Sequence, residues 1–366
     1  MSSKHQNAPE KHGKILIVGG YGQVGYMIAE RLAPEFPGRI VLAGRNLDKA
    51  KIAADKVGYN AEGRAVDIIA MDVGDALDDI ELVLVCLDQT NTDFVEQCLS
   101  RGIHYVDISA EHVFQSQVEA LDDLAKRNDA RALLSVGTAP GLTNLLSARA
   151  RDQMVRLDRI DILLHFGLGD VHGQAAVEWM FNNIDTTYNV QDNGRARQVR
   201  SFGESIAFGL PGGKQERSAY RFNFSDQHVI GRTLDVPSVS TWVQFDDRLT
   251  TWLFAVSSRA GLGRLLRRPF WRKLAVWLFM NVHIGSDICG VAVRARGQTK
   301  KGTEEITLGV IGRNEAKMTA IIAAEMTRQV LTMNHEAGVF HSEQIIEIDP
   351  VITALNREFA GLVVSI

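Results

Sequence analysis

The sequence predicts an α/β protein in two parts: an N-terminal doubly wound parallel sheet of the Rossmann kind, followed by a second domain of α+β character. Three observations predict this. The run Ile15-Leu16-Ile17-Val18 is continuously apolar, as expected of a parallel strand buried on both faces. Gly20, Gly22 and Gly25 follow in G-x-G-x-x-G spacing, and Val24, Ile28 and Leu32 then share one helical face. Short apolar runs and amphipathic stretches go on alternating to about residue 150, the pattern of strands and crossover helices in a parallel sheet.

The glycines divide the work of a dinucleotide site. Gly20 is expected to permit the tight turn, Gly22 to let backbone approach a pyrophosphate, and Gly25 to let the helix pack closely on the sheet. The phosphates then sit on free N–H groups at the helix start, which makes Gly20, Tyr21, Gly22, Gln23, Val24 and Gly25 the expected binding loop. The second strand, Ile40 to Ala43, ends in Gly44-Arg45-Asn46. An NAD-specific site would carry an acid there for the ribose 2'-hydroxyl, and none is present. The forked guanidinium of Arg45, with Asn46 beside it, suits a 2'-phosphate, which favours NADP over NAD; otherwise Arg45 is a solvated residue at a strand end.

At 366 residues and 45% hydrophobic composition the chain can build two substantial cores. A net charge of -4 with scattered basic residues gives no reason to expect nucleic acid as a partner. Cys86, Cys98 and Cys289 show no C-x-x-C spacing, which points to a reduced, cytoplasmic protein without disulfides or a structural metal. Residues 1–12 are polar and lack the apolar core of a signal peptide, so they are expected to form a loose tail, with the dinucleotide domain spanning 13–150.

Within that domain Leu47 to Val57 is an amphipathic helix and Arg64 to Met71 a third strand, with Asp72-Val73 as its polar end. Asp72 is placed to accept from an adenine amine, or to close a turn. The fourth strand, Leu82 to Leu87, directs Cys86, Leu87 and Asp88 toward the nicotinamide ribose; Cys86 itself fits a small buried hydrophobe better than a catalytic thiol. The strand beginning at His104 ends with Asp107 and Ser109 facing the same cleft. A long helix, Glu111 to Asn128, a strand, Ala132 to Val136, and a loop containing Ala139, Pro140 and Gly141 complete the alternation, the loop opening a helix whose N-terminus points at the cleft.

These residues resemble a known family. VGGYGQVG, the AGRN strand end, AMDVGD, the HYVDIS strand and VGTAPGLTN are together similar to the saccharopine dehydrogenase family of NAD(P)-dependent oxidoreductases, over Lys14 to about Ala150 and diffusely beyond. The resemblance implies hydride transfer, commonly at a carbon–nitrogen bond, with substrate held between the Rossmann domain and an α+β domain that also dimerises. It implies a homodimer acting on a small molecule. Two departures bear on the substrate. Saccharopine-forming members carry an Asp before the loop proline to hold an ammonium, where this chain has Ala139, and an arginine carboxylate clamp where it has Gln227 and His228. Neither Gln nor His can rebuild a bidentate clamp, so saccharopine itself is not the expected substrate.

The second domain is expected over 151–334, with 335–366 returning to the Rossmann domain. Ile160 to Phe166 reads as a strand, and His172 stands in a glycine loop before the helical stretch Ala175 to Asn182, as a proton donor kept neutral by the helix end or as a plain turn residue. Tyr188 to Val190 and Val199 to Phe202 are candidate strands, Gly209 to Gly213 a mobile cover or an ordinary connection, and Tyr220, Phe222 and Phe224 alternate as in a strand. Arg259 to Val282 holds six basic residues in its first fifteen and then an apolar run, Leu274 to Met280, too short to span a bilayer. It can lie peripherally on a membrane, make a dimer contact, cover a greasy substrate, or simply be a helix with a solvated basic face. Met318, Ile321, Ile322, Met326 and Val330 form a core stripe, His335 and His341 form no metal-ligand spacing, and Asp349-Pro350 reads as the cap and first turn of a last helix.

The resulting expectation is an NADP-dependent oxidoreductase acting on a small imine or amine, with Asp107, Ser109 and His172 as candidate proton donors. The alternatives are an enoyl reductase acting on a lipid-like substrate and a non-catalytic NADP-binding protein.

Overall fold

The computed structural model describes residues 13–69, 73–170, 174–184, 186–213, 215–259, 268–281, 285–359 and 362–365. The first half supplies β1 (Lys14–Val18), β2 (Ile40–Gly44), β3 (Glu62–Ala65), β4 (Ile80–Val85), β5 (His104–Asp107) and β6 (Arg131–Leu134). The second supplies β7 (Arg156–Phe166), β8 (Thr187–Asp192), β9 (Arg195–Arg200), β10 (Ser205–Phe208), β11 (Arg217–Arg221), β12 (Val239–Phe245), β13 (Ile288–Thr299), β14 (Gly302–Arg313), β15 (Gly338–His341) and β16 (Val363–Ser365). The helices are α1 (Gln23–Leu32), α2 (Leu47–Val57), α3 (Asp93–Ser100), α4 (His112–Glu119), α5 (Asp122–Arg127), α6 (Thr143–Asp152), α7 (Gln174–Asn183), α8 (Asp226–Thr233), α9 (Arg248–Arg259), α10 (Pro269–Asn281), α11 (Glu315–Thr332), α12 (Ser342–Ile345) and α13 (Ile348–Glu358).

Seven strands in the order β15-β6-β5-β4-β1-β2-β3 form one sheet, parallel throughout. Strand order reverses between β1 and β4, so a crevice opens at their carboxyl ends, where open parallel sheets bind ligands. A second, mixed sheet runs β10-β11-β12-β7-β13-β14-β16, and β8 pairs with β9 in a separate hairpin. The late strand β15 pairs with β6 of the first sheet, while β16 pairs with β14 of the second, so the chain end ties both sheets together. Helix α11 belongs to the second half in sequence but lies along α1, and Met318, Ile321, Ile322, Met326 and Val330 are all buried there.

Local structure corrects or narrows the sequence reading at five places. The third strand covers only Glu62–Ala65, because beyond Ala65 the chain leaves this sheet edge and Asp67 Oδ1 takes the Ile69 N–H in a turn. The helix expected over Glu111 to Asn128 is two, α4 and α5, and the second is drawn toward β15 by the Asp122 carboxylate accepting from Val339 N–H. The candidate strands at 188–190 and 199–202 are the hairpin β8–β9, of which β9 ends at Arg200. The Gly209–Gly213 segment is seated on the mixed sheet, with Leu210 over Gly290 and Pro211 over Gly309, which is the packing of a connection and not of a cover. The last helix begins at Ile348, so Asp349 lies in its first turn and pairs with Arg149 instead of capping.

Candidate functional site

The site starts from the β1–α1 turn. Gly19, and not Gly20, supplies the left-handed turn, with φ at +78°. Gly20 is required for a different reason, since a Cβ there would lie 2.7 Å from the Ile17 carbonyl oxygen and 2.9 Å from Leu42 Cα. A Cβ on Gly25 would lie 2.5 Å from the Gly19 carbonyl oxygen, which is the close helix approach expected of the third motif glycine. Gly22 differs from both. It is exposed, and within 4 Å its Cβ would meet only the Gly19 carbonyl oxygen, at 3.1 Å, which leaves its outer side open to a ligand. Gly22 also precedes α1 in an extended conformation with no side-chain cap, so the first-turn amides of α1 remain available to an anion.

The neighbouring strand end receives the ring of Tyr21. The ring lies so close to Gly44 that a Cβ there would be 2.5 Å from it, and Asn46 N–H donates to the Tyr21 hydroxyl. Asn46 is occupied in turn, its Oδ1 capping α2 by accepting from Lys49 N–H at 2.9 Å. Arg45 between them is exposed, directly after the end of β2. On the other side, Leu87 leans over Gly19, and burial pushes the Cys86 thiol well above its ordinary range, so the thiol is not poised as a nucleophile. Partial desolvation and the nearby Glu111 carboxylate raise the Asp88 carboxyl. Val73 N–H donates to Gln97 Oε1, whereas Asp72 lies outside the described residues.

Asp107 does not face the open cleft. It is 1% exposed, and its two oxygens accept from Tyr105 Oη at 2.6 Å, Gln89 Nε2 at 2.8 Å and Ser109 N–H at 2.6 Å. Burial outweighs these donors and pushes the carboxyl up to about 6. The arrangement fixes the turn at the end of β5, and Ser109 Oγ continues it by accepting from Glu111 N–H. The loop between β6 and α6 is equally fixed: Gly137 and Gly141 both have φ of +132°, Leu142 N–H returns to the Gly137 carbonyl, Thr138 meets Thr319, and Asn144 joins Gly141 N–H to Glu343. Ala139 is half-buried and Pro140 buried, so this loop presents a neutral floor.

The facing wall joins α4 of the first half to elements of the second. Trp179 on α7 packs its ring on Phe222 and Phe224, at centroid distances of 5.8 and 4.9 Å, and its indole N–H reaches Glu111 across the interdomain cleft. A pocket of about 500 Å³ begins three residues beyond Ser109, at His112, and is lined also by Ser116, Asn189, Gln191, Gln227 and His228. His112 and His228 stack with centroids 4.4 Å apart, His228 Nε2 meets Asn223 Oδ1 at 2.7 Å, and the buried His112 Nδ1 has no hydrogen-bond partner. Burial lowers both imidazoles, and the neighbouring His112 adds to it at His228, which falls to about 3, so the pair is neutral near pH 7. Gln227 is structural: its amide donates to the Phe222 and Phe224 carbonyls and accepts from Thr241 N–H. Beside it Asp226 is fully buried, bonded by Thr241 and Gln227 N–H, and burial pushes its carboxyl up to about 6.

The structure therefore brings together the glycine loop, Arg45, the ends of β4 and β5 and the Ala139-Pro140-Gly141 loop at one sheet edge. His172 lies outside the described residues. Sequence reading does not single out Glu111, His112 or the Asp107 donors Gln89 and Tyr105. Spacing offers one signal, since His112, Ser116 and Glu119 share a face of α4, but their partners on α8 are more than a hundred residues away. Among the described residues no group of His, Cys, Asp and Glu could hold a metal ion, and no helix is long and apolar enough to cross a membrane.

Comparison with known proteins agrees with this architecture. Residues 15–133 match the family described as the saccharopine dehydrogenase NADP binding domain. Apo saccharopine dehydrogenase (L-Glu forming) from Saccharomyces cerevisiae superposes with a TM-score of 0.66 at 12% identity, covering 97% of this chain and 100% of that one. The C. glutamicum DAP dehydrogenase in complex with DAP superposes with a TM-score of 0.47 at 15% identity, covering 94% and 99%. A stretch of 63 residues is 38% identical to a phenolphthiocerol/phthiocerol polyketide synthase of Mycobacterium tuberculosis, which is 17% of this chain and 3% of that one. The chain thus spans only a small fraction of the length of the curated relatives it matches.

Proposed function

We propose, for a chain that is saccharopine dehydrogenase-like in its NADP-binding domain and in its overall fold, that it is an NADP-dependent oxidoreductase transferring hydride to or from a small imine or amine. The observation that carries this reading is the β1–α1 turn, where Gly19, Gly20 and Gly25 are sterically required and Gly22 is left open toward unused helix amides. The residues present fit a dinucleotide: first-turn amides for the pyrophosphate, Arg45 for the 2'-phosphate, and the ends of β4 and β5 beside the nicotinamide. The bound cofactor would supply the hydride. The chain's own part is to orient the acceptor carbon and to exclude water, which the Trp179–Phe224 wall and the neutral Ala139-Pro140 floor favour.

Saccharopine is not the substrate we propose. No ammonium partner stands at Ala139, and Gln227 is consumed by backbone bonds instead of offering a clamp. Asp107 acts in this reading as a positioning residue for the β5 turn, and His112, which lines the pocket and stacks on His228, is the imidazole placed beside the substrate. His172 remains a proposed proton donor from sequence alone. The aromatic wall favours a second reading, reduction of a carbon–carbon double bond in an apolar chain. NADPH oxidation measured against an imine panel and an enoyl thioester panel separates the two. Tight NADP binding with no turnover on either panel would support a binding protein and sink the catalytic reading.

A further inference from the structure

We propose that the Tyr21 hydroxyl is a second reader of the dinucleotide 2'-phosphate, seated by Gly44 and acting beside Arg45; this rests on the NADP reading above. Tyr21 stands in the glycine loop between Gly20 and Gly22, and its half-buried ring is seated on Gly44, the last residue of β2. A Cβ on Gly44 would lie 2.5 Å from Tyr21 Cε1, 2.7 Å from its Oη and 2.8 Å from its Cζ. Gly44 is not among the glycines with positive φ, so the need for glycine there is one of space. A glycine inside a strand commonly marks a place where another group approaches closely, and here that group is the Tyr21 ring.

The seat carries the hydroxyl to the β2–α2 turn, where Tyr21 Oη accepts from Asn46 N–H at 3.4 Å. A phenol also donates, and its hydrogen points away from an N–H that it accepts from. Among the described residues nothing receives that hydrogen. The turn around it suits an anion. Arg45 is exposed immediately before Asn46, and α2 begins at Leu47, so its first free amides face the same turn. Arg45 and Lys49 outnumber the one acid of this stretch, Asp48, and all three are exposed. A phosphate dianion takes several donors, and an O–H bonded to a charged oxygen is about twice as strong as one bonded to a neutral group. A bare ribose 2'-hydroxyl offers Tyr21 only a neutral partner, so the phenol adds to NADP binding and hardly to NAD binding.

The test is calorimetric titration of the full chain with NADP and with NAD at one fixed salt concentration. Tyr21→Phe keeps a ring on Gly44 and removes only the hydroxyl. It should weaken NADP about tenfold and NAD less than about twofold, with circular dichroism unchanged. Gly44→Ala keeps the hydroxyl but displaces the ring that carries it, and should also weaken NADP more than NAD. Adenosine 2'-monophosphate as a competitor should lose about the same factor in Tyr21→Phe, and adenosine 5'-monophosphate should not, which places the effect at the 2'-phosphate. Wild-type NADP affinity in Tyr21→Phe, or equal weakening of NADP and NAD, overturns the proposal and leaves the dinucleotide reading standing. A wild type that prefers NAD overturns it as well, by removing the phosphate subsite. A wild type that binds neither dinucleotide overturns both readings together.

Discussion

The two walls of the cleft are built on opposite principles. On the dinucleotide side the chemistry is carried by backbone: amide groups at the α1 start, and glycines at 19, 20 and 25 whose missing Cβ atoms let strand, turn and helix approach one another. On the facing side it is carried by side chains drawn from α4, α7, α8 and the β8–β9 hairpin, positions spread from His112 to Arg232. A backbone site depends on a local conformation, and local conformation is written in adjacent residues. A side-chain site depends on which distant elements meet. The first wall should therefore fail abruptly when one residue changes, and the second by degrees.

The largest expected effect lies at Gly22. A branched side chain there meets little of the protein and projects into the pyrophosphate position, so Gly22→Val should abolish dinucleotide binding in calorimetric titration while circular dichroism is retained. Gly25→Val is the contrast, because its Cβ would collide with the Gly19 carbonyl oxygen and the fold itself should suffer. If Gly22→Val bound dinucleotide normally, the backbone account of this wall would be wrong.

Next in size is a pH effect on the side-chain wall. The Asp226 carboxyl has an ordinary value of 3.8 and sits at about 6 when folded, because burial penalises its charge. Between these values the folded state binds more protons than the unfolded state, so stability is lost as pH rises through about 6. Asp226→Asn keeps an acceptor for Thr241 and cannot ionise. It should gain about 2 kcal/mol over wild type at pH 8, and much less at pH 4, in urea unfolding. His228 acts in the opposite sense, its lowered imidazole costing stability as pH falls below about 6.5. An Asp226→Asn difference that does not change with pH would show that the carboxyl is not the titrating group.

Arg45 comes third. A guanidinium on a 2'-phosphate is worth about 1.5 to 3 kcal/mol, so Arg45→Ala should weaken NADP roughly ten- to a hundredfold and leave NAD nearly unchanged. Both constants need one fixed salt concentration, since Arg45 is exposed. Equal weakening of both would make Arg45 a support of the loop; a wild type that prefers NAD would overturn the cofactor preference.

The same contrast explains what is legible in the sequence. The Ile15–Val18 strand, the glycine loop and the β2 end at Gly44-Arg45-Asn46 sit within about thirty residues, and their periods of two and 3.6 are visible without knowledge of the rest. Yet even there the motif spacing points to Gly20 as the turn residue, because it does not reveal that the preceding Gly19 takes the positive φ. The place of Asp107 at a strand end suggests a residue facing the cleft. Tyr105 and Gln89, which saturate it, lie on the same sheet edge for reasons of β4–β5 pairing that no local pattern shows. His112 and His228 are 116 positions apart and meet only because α4 and α8 face each other across the two domains.

The smallest effect, and the finest probe of the side-chain wall, is at Trp179. Its ring rests on Phe222 and Phe224, while its indole N–H makes one long contact, 3.4 Å, with Glu111 across the cleft. Trp179→Phe keeps an aromatic face and removes only that bridge, so the pocket should keep its shape and lose a weak interdomain tie. A contact of this length is worth about 0.5 kcal/mol, which is roughly a twofold change. With the substrate identified by the two panels, KM should therefore rise about two- to threefold while kcat and the NADP constant hold. A larger variant, Trp179→Ala, removes the wall itself and should raise KM further, still without touching NADP binding. A change in the NADP constant in either variant would mean that the two walls are coupled, and that the side-chain wall helps to shape the dinucleotide site.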